Sequence, residues 1–393
     1  MNIEPQPPAP RSGVYLSIGI IAWNEEKAIR TLLNSVFQQS LLSELARRNL
    51  CCEIIVVANA CTDRTVSVAD EILSRQMRED LDGRALIGRV THLAERGKIN
   101  AWNQFVHQLS EREAKFLVLM DADIVLHNRD ALWNLVQTLE ASPEARVAVD
   151  VPRKDLEFKR RKTIRDRMSL AVSRLTQSST AQLCAQLYCI RAETARNIYL
   201  PRDLSACDDG FIKSLVCTDF LAHGVWPMRI EVARNASHTF EAYTSLKSVF
   251  KNQKRQAIGQ TIVHLLIDDY IKHMPAWERA RLAETLRRKD EENPDWLKRL
   301  VREHLRRKRF FWRLYPGLVS YRFRNLRKLS WRHRLFCLPA VLGGTVLSLA
   351  ASLAAYRFLK AGFTEYWPRA DRGAGPIDLA GHAMSPLSRA KTR

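Results

Sequence analysis

The stretch VLMDADIVL, residues Val118 to Leu126, ends an apolar run with two carboxylates, Asp121 and Asp123. Similar short apolar runs alternate with stretches of helical spacing along the chain, a pattern typical of parallel α/β sheets. We therefore predict an α/β fold with a single open, mainly parallel sheet flanked by helices. The two acids are then expected at the carboxyl end of a central strand, where such sheets bind their ligands.

The same alternation predicts four further strands and the helices between them. Asn24 is expected to cap the first helix, with Glu25 and Glu26 near its positive end, and Asp63 to cap the helix after the second strand. The predicted strands, besides the one that ends at Asp121, are 14–22, 53–58, 89–93 and 146–151.

The composition is that of a globular protein with an anionic partner. With 393 residues, 46% of them hydrophobic and 26% charged, the chain can bury a sizeable core. Its net charge of +20 leaves the partner open among nucleic acid, a membrane surface and a phosphorylated substrate. The eight cysteines show neither a CxxC pair nor a metal-type spacing with histidine, so reduced thiols are expected.

Two carboxylates flanking one alanine at a strand end are costly to bury unless a positive group lies between them. A divalent cation, Mn²⁺ or Mg²⁺, would suit Asp121 and Asp123, because it prefers hard oxygen ligands and leaves room for a diphosphate. The alternative is a strand-end turn with solvated carboxylates. The motif by itself does not decide between the two.

Five segments, in order along the chain, resemble family-2 glycosyltransferases, the inverting nucleotide-sugar enzymes with the A-type fold. They are LSIGIIAWNEE, EIIVVANACTDRT, ERGKINAWNQF, VLMDADIVL and LYCIRAETARNIYLPRDLSACDDGFI. The resemblance extends from residue 16 to about residue 255. It implies the transfer of a sugar from a nucleotide-diphosphate sugar to an acceptor hydroxyl.

The resemblance implies catalytic roles for two acids in the fifth segment. Asp209 would act as the base that takes the proton of the acceptor hydroxyl, and Asp208 would orient or contact the acceptor. Asp123 would hold the metal ion with Asp121 beside it, and His238, expected near a helix start, would complete the metal shell. The alternative for the acid pair is a helix N-terminus favoured by the helix dipole, and for the histidine a satisfied polar residue.

Donor binding is expected at the ends of the first two strands. The backbone at Ala22, with Glu25 nearby, would line the nucleoside cleft, and Lys98 would neutralise phosphate unless it is a solvated surface residue. Asp121, beside the metal, would also contact the donor. Asn59 stands where the family usually carries an acid against the base, so the resemblance leaves the identity of the nucleotide open.

The last third of the chain predicts an association with a membrane. Residues 335–356 carry no charge over about 33 Å as a helix, enough to cross a bilayer. Arginine and lysine crowd the upstream side, which favours a cytoplasmic N-terminal portion. The alternative is a buried or re-entrant helical hairpin broken at Pro339 and at Gly343–Gly344. The predicted organisation is a disordered N-terminus 1–13, a catalytic domain 14–255, a basic helical juxtamembrane segment 256–334, one transmembrane or membrane-inserted helix 335–356 and a polar tail 357–393.

The sequence therefore predicts a metal-dependent, inverting glycosyltransferase of hexosyl or N-acetylhexosaminyl type in the inner (plasma) membrane, with its catalytic domain in the cytoplasm. Expected partners are a nucleotide-diphosphate sugar, a lipid-linked or envelope glycan acceptor and an anionic membrane surface, with no nucleic acid. One alternative is a sugar nucleotidyltransferase, which would need a Gly-rich phosphate loop where this chain has AWNEE. The other is a non-catalytic protein that binds a membrane surface or nucleic acid.

Overall fold

The structure, a computed structural model, describes residues 13–79, 86–164, 166, 167, 169, 170, 181–204, 206–243, 245–307, 320–327 and 330–362. Its strands are β1 Val14–Ala22, β2 Cys51–Asn59, β3 Leu86–Leu93, β4 Phe116–Asp121, β5 Val125–Leu126, β6 Val147–Lys154, β7 Leu187–Arg191 and β8 Ile230–Phe240. Its helices are α1 Ala28–Phe37, α2 Leu41–Arg47, α3 Thr65–Glu79, α4 Lys98–Gln104, α5 Ala131–Ala141, α6 Ala192–Arg196, α7 Asp208–Cys217, α8 Leu246–His264, α9 Ala276–Arg279, α10 Leu282–Glu292, α11 Trp296–Arg307, α12 Ser320–Leu326 and α13 Trp331–Lys360.

The described strands form one eight-stranded sheet in the order β3-β2-β1-β4-β7-β6-β8-β5. β1 pairs in parallel with β2 and β4, and β7 enters antiparallel between β4 and β6. In this register Ala22 lies beside Ala58 and Ile21 beside Asp121, so that β1, β2 and β4 end at one edge of the sheet. The predicted fold class, an open, mainly parallel sheet flanked by helices, is confirmed.

Helices cover both faces of the sheet because its inner strands are apolar on both sides. Every residue of β2 is buried, as is usual for a parallel strand covered on both faces. On one face, Ile29 of α1 and Ile72 of α3 belong to one buried cluster. On the other face, Trp102 of α4, Phe211 of α7 and Ile262 of α8 belong to a second cluster. The strand ends therefore sit between two rigid layers.

One of the two predicted helix caps is present. Helix α1 begins at Ala28, not after Asn24. Asn24 has a φ of 53°, and its Oδ1 accepts a hydrogen bond from the N–H of Thr62 at 2.8 Å. That capping prediction is wrong because this side chain joins two loops. Asp63 caps as expected, since its carboxylate accepts from the N–H of Thr65, the first residue of α3, at 3.0 Å.

The helices that follow the sheet pack onto the same core as the strands. Ile262 of α8, Val301 of α11 and Leu359 of α13 lie in one buried cluster with Leu119 of β4. The predicted boundary after residue 255 falls inside α8, because this helix carries residues of the domain core beyond that point. The end of the family resemblance near residue 255 is therefore not the end of the packed core.

The predicted membrane segment lies within one helix, α13, which extends from Trp331 to Lys360 and contains Pro339 without a break. Within the described part of the chain, Cys337–Lys360 is the one stretch long and apolar enough to cross a membrane, and 28% of its most apolar window is buried. The predicted disordered N-terminus (residues 1–12 of it) and polar tail (from residue 363) lie outside the described residues.

The packing of β1 against α4 predicts a stability effect at Gly19. A Cβ atom added there would lie 2.7 Å from ring atoms of Phe105, which is fully buried in the turn after α4. We expect Gly19→Ala to lower the free energy of unfolding by about 1–3 kcal/mol, because a filled core has no room for a methyl group. Urea unfolding measures this change.

The matched control is Gly224→Ala, where an added Cβ meets nothing within 4 Å. This variant should stay within about 0.5 kcal/mol of the wild type. Equal stability of the two variants would contradict the close packing of β1 on Phe105.

Candidate active site

The end of β4 and the first turns of α4 and α7 bring charged groups together at one edge of the sheet. Nζ of Lys98, the first residue of α4, lies 2.6 Å from Oδ1 of Asp121, the last residue of β4. The side chains of this pair are 8% and 17% exposed. A carboxylate that is largely buried at a strand end requires a positive group beside it. For Asp121, this group is Lys98.

Lys98 remains charged in this buried position. Burial alone would lower its pKa, but the carboxylates of Asp121 and Asp208 raise the pKa above its ordinary value. Its helix is held in place by the preceding Gly97, which has a φ of 156° and donates its N–H to Oδ1 of Asn59 at 2.8 Å. Lys98 is therefore a buried ion-pair partner and not a solvated surface residue.

The two acids expected to be catalytic begin helix α7. Cys207, free like the other seven cysteines, turns the chain into this helix with a left-handed φ of 62°. Asp208 is buried, and Oδ1 of Asp209 accepts a hydrogen bond from the N–H of Gly210 at 2.7 Å. Burial and the charge of Asp208 raise the pKa of Asp209 to about 6, against the opposing effect of Gly210 and nearby cations. A carboxylate with this pKa can take up a proton near neutral pH.

A second cation of the site was missed as a site residue by the sequence analysis. Arg255, in the middle of α8, lies close enough to lower the pKa of Asp209 by its charge. Its helix approaches the start of α7 closely at Gly259, where an added Cβ would lie 2.5 Å from the backbone oxygen of Ala206. The available signal in the sequence was Gly259, one helical turn after Arg255. This pair indicates a site residue only when the packing of α8 against α7 is known.

The residues expected to line the donor site lie at the ends of β1 and β2. Ala22 is buried, and its carbonyl oxygen accepts from the thiol of Cys61 at 3.4 Å. Glu25 lies in the turn before α1 and donates its N–H to Oγ1 of Thr65 at 2.8 Å. Asn59 directs its amide oxygen to the loop before α4. The structure thus places these residues at neighbouring strand ends, and their contacts with a nucleotide stay predictions.

His238 lies within β8 and is fully buried, so its expected position near a helix start is wrong. Its Nδ1 is 2.7 Å from Oδ2 of Asp150, and its Nε2 is 3.4 Å from Oε1 of Gln186. The backbone oxygen of Gln186 accepts from the N–H of Asp121 at 2.9 Å. The histidine is therefore linked to the strand end through Gln186, and its role as a metal ligand stays a prediction.

Asp123 lies two residues after β4, in the turn before β5. Within the described residues, no three ligating side chains form a metal site by themselves. A divalent cation that binds together with a nucleotide needs only one or two protein carboxylates, because diphosphate and water oxygens supply the remaining ligands. Asp123 and Asp121 fit such a shared site, in which Lys98 holds one oxygen of Asp121.

The sequence of the sheet domain matches a known family. Residues 17–196 match the model described as Glycosyl transferase family 2. The chain contains a family-2 glycosyltransferase domain. The matched region includes Lys98, Asp121 and Asp123, whereas Asp208 and Asp209 follow its end. Among curated proteins, no sequence matches the chain.

Several solved structures are similar to this chain. The mannosyltransferase PcManGT from Pyrobaculum calidifontis, in complex with GDP-Man and Mn²⁺, has 18% identity and a TM-score of 0.48 over 89% of this chain and 90% of that chain. Residues 1–349 of TarS from S. aureus have 16% identity and a TM-score of 0.43 over 88% and 90%. Glucosyl-3-phosphoglycerate synthase from Mycobacterium tuberculosis, in complex with Mn²⁺, UDP-glucose and phosphoglyceric acid, has 17% identity and a TM-score of 0.36 over 62% and 78%.

The buried ion pair at the strand end predicts a stability effect. Lys98→Met leaves the carboxylate of Asp121 without its cation and close to Asp208, so the free energy of unfolding should fall by about 3 kcal/mol without added metal. Adding Asp121→Asn to this variant should recover part of the loss, because the unpaired charge is then gone. Urea unfolding of the two variants measures the difference. A double variant no more stable than Lys98→Met would show that the ion pair is not the cause.

Proposed function

We propose that this protein is an inverting glycosyltransferase that moves a hexosyl or N-acetylhexosaminyl group from a nucleotide-diphosphate sugar to a hydroxyl of a lipid-linked or envelope glycan acceptor. The observation that supports it best is Asp209, a partly buried carboxyl group at the start of α7 with a pKa of about 6. It follows the region that matches family 2 and lies near Lys98 and Arg255, whose positive charges suit a diphosphate. The family match favours this function over that of a sugar nucleotidyltransferase.

Asp209 is the proposed base. Its ionised carboxylate takes the proton of the acceptor hydroxyl as the hydroxyl oxygen attacks the sugar, and the bond from the sugar to the diphosphate breaks. Asp208 acts on the reaction through Asp209. Its charge raises the pKa of Asp209 and so makes that carboxylate a stronger base. The hydrogen bond from Gly210 holds one oxygen of Asp209 in place.

The departing diphosphate carries negative charge that the site must balance. Lys98 and Arg255 supply two fixed positive charges near Asp209. A divalent cation held by Asp123 and Asp121, with His238 as a further candidate ligand, would supply additional charge stabilisation for the leaving group. The ends of β1 and β2, at Ala22, Glu25 and Asn59, form the proposed nucleoside side of the site.

The proposed location is the cytoplasmic side of the inner (plasma) membrane. The apolar helix α13 and the net charge of +20 support an anionic membrane surface as a partner. An acceptor that carries a lipid would be concentrated at that surface, which is the reason for proposing a lipid-linked glycan. No role for nucleic acid is proposed.

The proposed base predicts the pH dependence of the reaction. Activity should fall as the pH drops below about 6, because protonated Asp209 cannot accept a proton. Asp208→Asn should move this fall in activity to lower pH, because it removes a negative charge that raises the pKa of Asp209. Arg255→Gln should move it to higher pH, because it removes a positive charge that lowers this pKa. The measurement is release of UDP or GDP from sugar nucleotides, with a membrane lipid extract as the source of acceptor.

In the same assay, Asp209→Asn should reduce transfer by at least about 100-fold while it leaves nucleotide binding intact. The control is Asp70→Asn, which changes an exposed carboxylate on α3. Full activity of Asp209→Asn, or identical pH profiles for the two charge variants, would exclude Asp209 as the base.

The proposed metal ligands predict the dependence of nucleotide binding on a cation. Calorimetry with UDP and with GDP should show binding to the wild type that Mn²⁺ strengthens, and Asp123→Ala should weaken this binding at least about tenfold by removing a charged contact. Whichever of UDP and GDP binds identifies the nucleotide of the donor. Equal binding to wild type and Asp123→Ala would mean that the two acids after β4 form a strand-end turn.

A further inference from the structure

Helix α13 exposes a continuous row of large apolar side chains, here named the apolar stripe. Its members are spaced three or four residues apart and so lie on one side of the helix. They are Leu335, Leu338, Leu342, Val346, Leu349 and Leu353. From first to last they extend about 27 Å along the helix, and Trp331, also exposed, continues the row at its start.

The opposite side of α13 is occupied by the protein. Oγ of Ser348 donates a hydrogen bond to Oε1 of Gln253 on α8 at 2.8 Å. Nζ of Lys254 lies 4.2 Å from the centre of the Phe358 ring. Leu359 is buried in the core cluster that also contains residues of the sheet. The side of α13 opposite the stripe is therefore attached to the rest of the protein along the C-terminal part of the helix.

This attachment is incompatible with a helix that crosses a bilayer on its own. If α13 spanned the membrane, the part of α8 that it contacts would enter the hydrocarbon with it. That part carries Lys251, Lys254 and Arg255, and charged side chains at such depth are costly. A helix lying in the plane of the membrane avoids this cost, because only one side of it enters the lipid.

We propose that α13 is an in-plane membrane-binding helix, whose apolar stripe enters one leaflet of an anionic lipid bilayer while its other side stays packed on α8. Exposed basic residues flank the stripe at both ends of α13 and on the neighbouring α12, in position to contact lipid headgroups. They are Arg324, Arg327, Arg332, Arg334, Arg357 and Lys360. An aromatic residue such as Trp331 at one end is typical of the membrane–water interface.

Charge favours lipid over a second copy of the chain as the occupant of the stripe. Two chains, each with a net charge of +20, would bring their basic flanks together if the stripes paired. An anionic leaflet instead offers apolar chains for the stripe and opposite charges for the flanks. This inference concerns lipid binding alone and does not depend on the transfer reaction, since its tests use no sugar nucleotide.

Sedimentation with vesicles tests the lipid contact. Full-length protein should bind vesicles of phosphatidylcholine and phosphatidylglycerol more tightly than vesicles of phosphatidylcholine alone. The double variant Leu342→Asn/Val346→Asn should bind the mixed vesicles at least about tenfold more weakly, because two apolar groups no longer enter the leaflet. Both positions are exposed, so its thermal unfolding should match that of the wild type.

The matched control is Val225→Asn, which changes a valine that is 69% exposed, against 68% for Val346, on a loop outside α13. This control should bind vesicles like the wild type. Equal binding by wild type and the double variant would overturn the proposal. So would a dimer that the double variant abolishes while vesicle binding stays unchanged, because the stripe would then be a contact between copies.

The orientation of the helix is tested with a tag after Arg393 and protease added to spheroplasts of the expressing bacterium. An in-plane helix keeps the tag on the same side as the catalytic domain, so both should survive in intact spheroplasts and both should be digested after lysis. Removal of the tag alone from intact spheroplasts would show a spanning helix and overturn the in-plane arrangement, whatever the protein's activity toward sugar nucleotides.

Discussion

The ion pair between Lys98 and Asp121 is the constraint on which the rest of the active edge depends. A carboxylate at the end of an inner strand is removed from water by the layers on either side of the sheet, and it needs a partner of opposite charge. The partner comes from the start of α4, which Gly97 and Asn59 hold beside the end of β2. Lys98 also interacts electrostatically with Asp208, at the start of α7. This one buried cation therefore interacts with groups at the end of β4 and the start of α7, and its helix is bonded to the end of β2.

The balance of charge around this pair bears on the properties of Asp209, the proposed base. Three carboxylates, Asp121, Asp208 and Asp209, share the positive charges of Lys98 and Arg255. Burial disfavours the ionised form of Asp209, and the neighbouring charge of Asp208 disfavours it further, which is why the pKa of Asp209 rises to about 6. The excess of negative charge also suits a divalent cation that arrives with the donor diphosphate.

What the sequence predicted well depends on local pattern. The five predicted strands follow from apolar runs and were found close to where they were expected, with Asp121 at the end of β4, whereas β5, β7 and β8 were not predicted. What it missed depends on contacts between distant segments. Asn24 bonds to Thr62 instead of capping α1, His238 lies in a strand beside Asp150, and Arg255 reaches the site only because α8 packs on the start of α7.

Helix α8 links α13, the proposed lipid-binding helix, to the candidate active site. One part of α8 contacts α13 through Gln253 and Ser348. Two residues further on, Arg255 acts on the charge of Asp209, and at Gly259 the helix touches the backbone before α7. A rigid helix of this length fixes the distance between α13 and Asp209. If α13 binds the membrane and Asp209 is the base, as proposed, an acceptor held at the headgroups by its lipid would present its hydroxyl to Asp209 without leaving the membrane, whereas an acceptor free in solution would gain nothing from the arrangement.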